Sequence, residues 1–213
     1  MRNTEAPSLP ICATWVHELS TTLCKAMDAK DCTTSEHAYQ TADIAAMIAR
    51  NLKLNQRQID LIHIGAHLHD IGKIGIPDSI LKKPGPLTSH EWEIIKQHPV
   101  IGANIVKPIS FFNKKNGIKD IVLHHHERYD GGGYPHALKG ESIPLGARIV
   151  TLADAFSAML QKRPYKNQLS FDQAVEEVFT NTYTQFCPHV VNAFCKILGL
   201  VEDYFNRQTL TGL

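Results

Sequence analysis

Along this chain apolar residues return every three or four positions, the spacing of helices that bury one face. From Cys12 to about Lys30 they are Trp15, Leu19, Leu23 and Met27. A second helix is expected to begin near Thr33, where Thr33-x-x-Glu36 has the form of a capping box, and to carry Ala42, Ile44, Met47 and Ile48. A third covers roughly 56–70. Gly72, Gly75 and Pro77 then break the pattern, and Lys83-Pro84-Gly85-Pro86 reads as a loop. Thr88-x-x-Glu91 opens another helix, and Pro99 suits the first turn of the next, where no backbone donor is needed. Further helices are expected over 118–127, 144–161, 170–181 and 188–200, the third of these opened by the capping box Ser170-x-x-Gln173. β-Branched runs are short and do not alternate, so no strand is expected.

The prediction is all-α: an N-terminal extension with an amphipathic helix over 1–30, one multi-helix domain over 31–205 and a flexible tail over 206–213. The N-terminal helix is expected to pack on its own domain, with a homodimer through it as the alternative.

Composition narrows the function classes. With 43% hydrophobic and 20% charged residues, the chain suits an ordinary globular domain with a sizeable core. A net charge of +1 speaks against a nucleic-acid polymer as partner. The five cysteines are odd in number and form no C-x-x-C pair, so reduced thiols are expected rather than a disulfide framework. The first ten residues lack the apolar stretch of a signal peptide, and no run approaches the length of a membrane span. A cytoplasmic protein without membrane contact is expected.

The twelve histidines change the picture most. For any one of them a surface or core role is the simpler account, but His69-Asp70, His98, His125-His126 and Asp154 together read as a binuclear metal hydrolase site. Neighbours on a helix point about 100° apart. His69 and Asp70 can therefore serve one centre only where a helix ends, and Gly72 supplies an end. A carboxylate can bridge two cations while neutral imidazoles complete each shell. His98 and the His125-His126 pair could supply one metal, and His37 and Asp154 could close the other. Two metals about 3.5–4 Å apart can activate water and stabilise the leaving oxygen of a phosphodiester.

Lys73 could neutralise a phosphate oxygen beside them. Gly131-Gly132-Gly133 lets backbone N–H groups approach an anion, and Tyr134 offers a ring for a base. His63 and His67 have the spacing of a zinc pair, but Ile64 stands where a metalloprotease needs Glu, so both are read as structural or partly exposed. His17, His90, His124, His136 and His189 are given no role.

These residues resemble the HD-GYP domains of the HD phosphohydrolase superfamily. His69-Asp70-Ile71-Gly72-Lys73 looks like the family's HD motif, and 125–135 matches HHExxDGxGYP at every defined position. Supporting segments are 81–88, His98-Pro99-x-x-Gly102, Ile143-Pro144-Leu145 and Arg163-Pro164-Tyr165-Lys166. The resemblance covers roughly 25–200. It implies a bacterial signalling phosphodiesterase with a buried metal centre, opening cyclic di-GMP to pGpG and in some members on to GMP. It further implies two divalent ions, iron or manganese: one held by His37, His69, Asp70 and Asp154, the other by the bridging Asp70 with His98, His125 and His126. Lys73 would meet the scissile phosphate, Gly133 and Tyr134 would line the substrate, and Arg163 and Lys166 would grip its phosphates or guanine edges. Asp31 matches an acidic position near the site.

The chain departs from the family in places. Trinuclear members carry Glu where Thr33 stands, so two metals are expected here rather than three. Ser157 stands where many members have Asp, Gln40 replaces a common Arg, Cys187 an Asp and Ala137 a loop Gly. Only about thirty residues precede Asp31, fewer than a usual domain, so regulation is expected from a partner protein or not at all. Two alternatives remain: hydrolysis of another cyclic dinucleotide such as cyclic GMP-AMP, and a catalytically weak binding or signalling module.

Overall fold

The computed structural model describes residues 13–28, 30, 35–161 and 168–211, with side chains described over 18–27, 30, 36–161 and 168–208. Its helices run α1 (Ala13–Asp28), α2 (Ser35–Asn51), α3 (Gln56–His67), α4 (Asp78–Leu81), α5 (Ser89–Ile95) and α6 (His98–Val106). They continue with α7 (Ile118–His124), α8 (Leu145–Met159), α9 (Phe171–Thr180), α10 (Pro188–Cys195) and α11 (Leu198–Thr211). Short 3-10 turns occupy Ile71–Gly75 and Gly140–Ser142. Among the described residues, extended pairing is limited to one bridge between Thr182 and Phe186. The chain is all-α, as its periodicity predicts.

The expected helix starts follow from their caps. Thr88 and Ser170 each accept the N–H of the residue three positions on, whose Glu91 or Gln173 side chain reaches back to the cap. Asn55 and Gln58 do the same for α3, and Pro99 sits in the first turn of α6. The Thr33 cap lies outside the described residues.

Two apolar clusters hold the helices together. The larger gathers Ile44, Ile48, Ile149, Leu152, Phe156, Phe194 and Val201 around α8, which is buried along most of its length. Fully burying one such side chain contributes about 1.5–3 kcal/mol. The smaller cluster packs Cys24 and Met27 of α1 against Ile64, Leu68, Ile71, Val106, Phe112 and Val122. The N-terminal helix thus packs on its own domain, as expected. Both clusters draw on α3 and α7, so the turns that follow those two helices are held from both sides.

The C-terminal end differs from expectation. The single helix predicted over 188–200 is two, broken between Cys195 and Leu198, and the tail predicted from Asn206 is helical as far as Thr211. Tertiary contacts account for this: the Tyr204 hydroxyl donates to Asp43 at 2.8 Å, and Gln40 Nε2 donates to Gln208 Oε1 at 3.1 Å.

Candidate metal centre

Every candidate ligand stands at or next to a helix end or on a helix facing one. Helix α3 stops at His67, earlier than the predicted 70, and a turn carries the chain through His69 and Asp70 into Ile71–Gly75. Gly72 makes this possible, because a Cβ there would overlap the His98 carbonyl and the Gly102 amide. The close approach sets Asp70 beside the start of α6. His125 caps α7, which ends three residues before the predicted 127. His37 comes from the first turn of α2 and Asp154 from the middle of α8.

Three of the histidines are oriented the same way. His69 Nδ1 donates to the Ala66 carbonyl at 2.6 Å, His98 Nδ1 to Ile95 at 2.7 Å and His125 Nδ1 to Val122 at 2.8 Å. Each bond spans three residues, so each ring leans back on its own turn. With Nδ1 protonated, the neutral ring presents an Nε2 lone pair. The His125 carbonyl is held in turn by the Thr151 hydroxyl at 2.8 Å.

The Nε2 atoms converge. His98 Nε2 and His125 Nε2 are 3.3 Å apart. Asp70 Oδ1 lies 3.2 Å from His98 Nε2 and 4.0 Å from His125 Nε2, while Asp70 Oδ2 lies 3.3 Å from His69 Nε2. Beyond His69, Asp154 Oδ1 stands 3.7 Å from its Nε2 and 2.8 Å from His37 Nε2. Two groups result, Asp70–His98–His125–His126 and His37–His69–Asp154, each with ligand atoms within 4.8 Å of one another. Asp70 faces both.

His69 Nε2 and Asp70 Oδ1 are buried without a hydrogen-bond partner. Ring nitrogens and carboxylate oxygens crowded this closely, two of them His98 Nε2 and His125 Nε2 at 3.3 Å, are the hard and borderline donors a divalent cation takes, so the donor set fits divalent metal ions. The chain carries His/Asp clusters able to bind metal.

Protonation follows the same pattern. Burial alone would lower the pKa of His69, but the carboxylates of Asp70 and Asp154 outweigh it and raise it to about 9. Burial works against the charge on Asp70, yet Lys73 and His69 hold its pKa well below the usual carboxylate range. Asp154 is likewise lowered against burial by His37 and His69. Burial, with the neighbouring histidines, drives His125 well below the usual imidazole value, and burial lowers His126 to about 3. Both rings are therefore neutral and ready to donate.

The loop after α7 closes the centre. Tyr134 stacks on His126, with ring centroids 4.8 Å apart, and Lys96 Nζ lies 6.0 Å from the Tyr134 centroid. Gly133 is packed so tightly that a Cβ would overlap the backbone of Glu127 and Arg128. The glycine amides expected to face an anion are partly spent inside the loop: Gly131 N–H donates to the Arg128 carbonyl at 2.9 Å and Gly132 N–H to Asp130 Oδ1 at 2.8 Å.

Lys73 Nζ sits 2.6 Å from Asp70 Oδ2, at the edge of the centre. Arg163, Lys166 and Asp31 lie outside the described residues. His67 is buried and packs edge-on against Tyr39 and His63, as the structural reading of that pair expects. Two arrangements escape the sequence reading. One is a polar chain from Gln40 through Ser157 to His37; the other brings His124, treated as inert, to Glu127 and His136. Only the Asp154–Ser157 spacing, which puts both on one face of α8, hints at the first.

A match to the HD domain family runs over residues 21–190, most of the chain. The chain belongs to the HD domain family. The resemblance read from its two motifs is borne out. This HD domain is 40% identical over 179 residues to a protein of Thermotoga maritima named cyclic di-GMP phosphodiesterase, covering 84% of this chain and 48% of that protein. It is 40% identical over 181 residues to the cyclic di-GMP phosphodiesterase response regulator RpfG of Xanthomonas campestris, covering 85% of this chain and 48% of the relative. The chain therefore spans about half the length of these relatives. In fold it is similar to the cyclic GMP-AMP-specific phosphodiesterase V-cGAP3 of Vibrio cholerae, with a TM-score of 0.66 and 19% identity over 86% of this chain and 49% of that one. Among the described residues, no helix is long and apolar enough to cross a membrane.

Proposed function

We propose that this HD domain hydrolyses cyclic di-GMP to linear pGpG, adding one water across a phosphodiester of the ring. The observation that carries the reading is the division of the Asp70 carboxylate, with Oδ1 toward His98 and His125 and Oδ2 toward His69. The names of the relatives similar to this chain support the substrate class.

His37, His69, Asp70 and Asp154 hold one divalent ion, and Asp70, His98, His125 and His126 hold a second, iron or manganese by the mixed imidazole and carboxylate shell. A pair of such ions supplies charge neutralisation at the phosphate and lowers the pKa of water. Two ions rather than three follow from Thr33, which stands at the position of the family's extra Glu. The nearby Glu36 carboxylate is bonded to Gln40, one turn along α2. Lys73, now paired with Asp70, releases its ammonium to the substrate phosphate as charge builds there. Tyr134 and Gly133 shape the wall beside His126, and Arg163 and Lys166 bind the second phosphate or a guanine edge.

The test is anaerobic turnover after reconstitution with iron or manganese, with products separated over time and Asp70→Ala as control. Accumulating pGpG that the variant does not form supports the reading. Prompt GMP overturns the two-ion assignment. Faster turnover of cyclic GMP-AMP replaces the substrate, and a folded, metal-loaded protein that turns over neither is a binding module.

A further inference from the structure

Outside the paired centre, three more ligand-type side chains meet: His124 at the end of α7, Glu127 three residues on and His136 past the Tyr134-Pro135 turn. One ligand atom from each lies within 4.8 Å of the others. The His124 and His136 ring centroids are 5.2 Å apart.

His124 is 9% exposed, and its Nδ1 is buried without a hydrogen-bond partner. It stands 3.6 Å from Glu127 Oε1, too far for a hydrogen bond. The Glu127 carboxylate is itself fixed, accepting N–H groups from His136 at 2.8 Å and Leu138 at 3.0 Å. Each of its oxygens keeps acceptor capacity beyond those bonds. A buried ring nitrogen without a partner, an oriented carboxylate and an exposed imidazole thus come together, and among the described residues no hydrogen bond joins their three side chains.

We propose that His124, Glu127 and His136 hold a further divalent cation of the zinc class, separate from the paired centre. Two imidazoles and one carboxylate are a common zinc donor set, and water can complete it on the exposed side of His136. Such an ion ties the end of α7, next to His125 and His126, to the loop beyond Tyr134, whose ring lies on His126. Occupancy therefore clamps this loop over the paired centre.

The experiment uses the full chain and His136→Ala, both loaded with manganese and dialysed against zinc, with both metals counted in the same sample. His136 is exposed and takes no part in the paired centre, so the variant should fold and keep its manganese. Wild type is expected to take up zinc in addition to manganese, with the variant binding it at least about tenfold more weakly. Trypsin cleavage after Lys139 should slow with zinc in wild type alone. Equal zinc uptake by the two proteins, zinc that enters only as manganese leaves, or cleavage indifferent to zinc overturns the proposal. Zinc uptake that is lost in His136→Ala, by a protein that holds no manganese, would count against the paired centre and leave this site standing.

Discussion

The Ser157 hydroxyl oxygen stands 3.0 Å from His37 Nδ1 and 3.0 Å from Gln40 Oε1. Gln40 Oε1 can only accept, so the hydroxyl hydrogen goes there, and Ser157 must take the Nδ1–H of His37. The Gln40 amide cannot turn round, since its Nε2 donates to Glu36 Oε1 and Gln208 Oε1 while its oxygen also accepts from Gln161. His37 Nε2 is thereby directed at Asp154 Oδ1, 2.8 Å away, where a metal ion would take the place of a proton. A residue that departs from the family's usual Asp thus still orients the ring.

Ser157→Ala is expected to weaken metal binding at the His37 side about 10–100-fold, the usual loss when a ligand's orienting partner is removed. Ser157→Asp should recover only part of it, because an aspartate accepts the Nδ1–H but has no hydrogen for Gln40 Oε1. Metal content after dialysis checks both; unchanged content in Ser157→Ala would show the hydroxyl to be only a packing element.

Asp70→Asn keeps the shape of the side chain and removes its charge. The variant is expected to lose at least about 100-fold in metal affinity, since both groups share this carboxylate. In the metal-free protein it also leaves Lys73 and His69 without their closest countercharge. Metal analysis together with chemical denaturation separates the two effects.

Metal uptake should depend on pH through His69. Its raised value of about 9 means the ring carries a proton at neutral pH in the metal-free protein, and a metal must displace it. Apparent affinity should rise by up to about tenfold per pH unit from 7 toward 9 and then level off. Proton release on metal addition in weak buffer measures this directly. Because the pKa is raised from 6.5, His69 stabilises the metal-free fold fully below pH 6.5, and that contribution is lost as the pH passes about 9.

Ala137 occupies the left-handed region with φ of 52°, at the position where the family resemblance expects Gly. A non-glycine residue is strained there by about 1–2 kcal/mol. Ala137→Gly should raise stability by about 0.5–1 kcal/mol, the strain relieved less the extra chain entropy. The shift in denaturation midpoint checks it; a loss of stability would mean the Ala137 methyl makes a packing contribution larger than the strain.

Much of this molecule is legible in its residue order. Capping boxes at Thr88 and Ser170 mark helix starts because donor and acceptor sit three residues apart, and Gly72 marks the break that frees His69 and Asp70 from a common helix. Helix ends are less legible. The expected ends at 70, 127, 161 and 200 all miss, since a final turn tightens or stops according to what it packs against.

The sequence by itself determined the helical class, the inventory of imidazoles and carboxylates, and the two motifs that place the chain in its family, because each is a local pattern. Only the tertiary structure decided where Nε2 of His69, His98 and His125 points, which oxygen of Asp70 faces which histidines, and that His136 meets His124. Those outcomes depend on atoms brought together across the chain, such as His37 and Ser157, 120 residues apart. No local propensity encodes a contact of that kind; packing does.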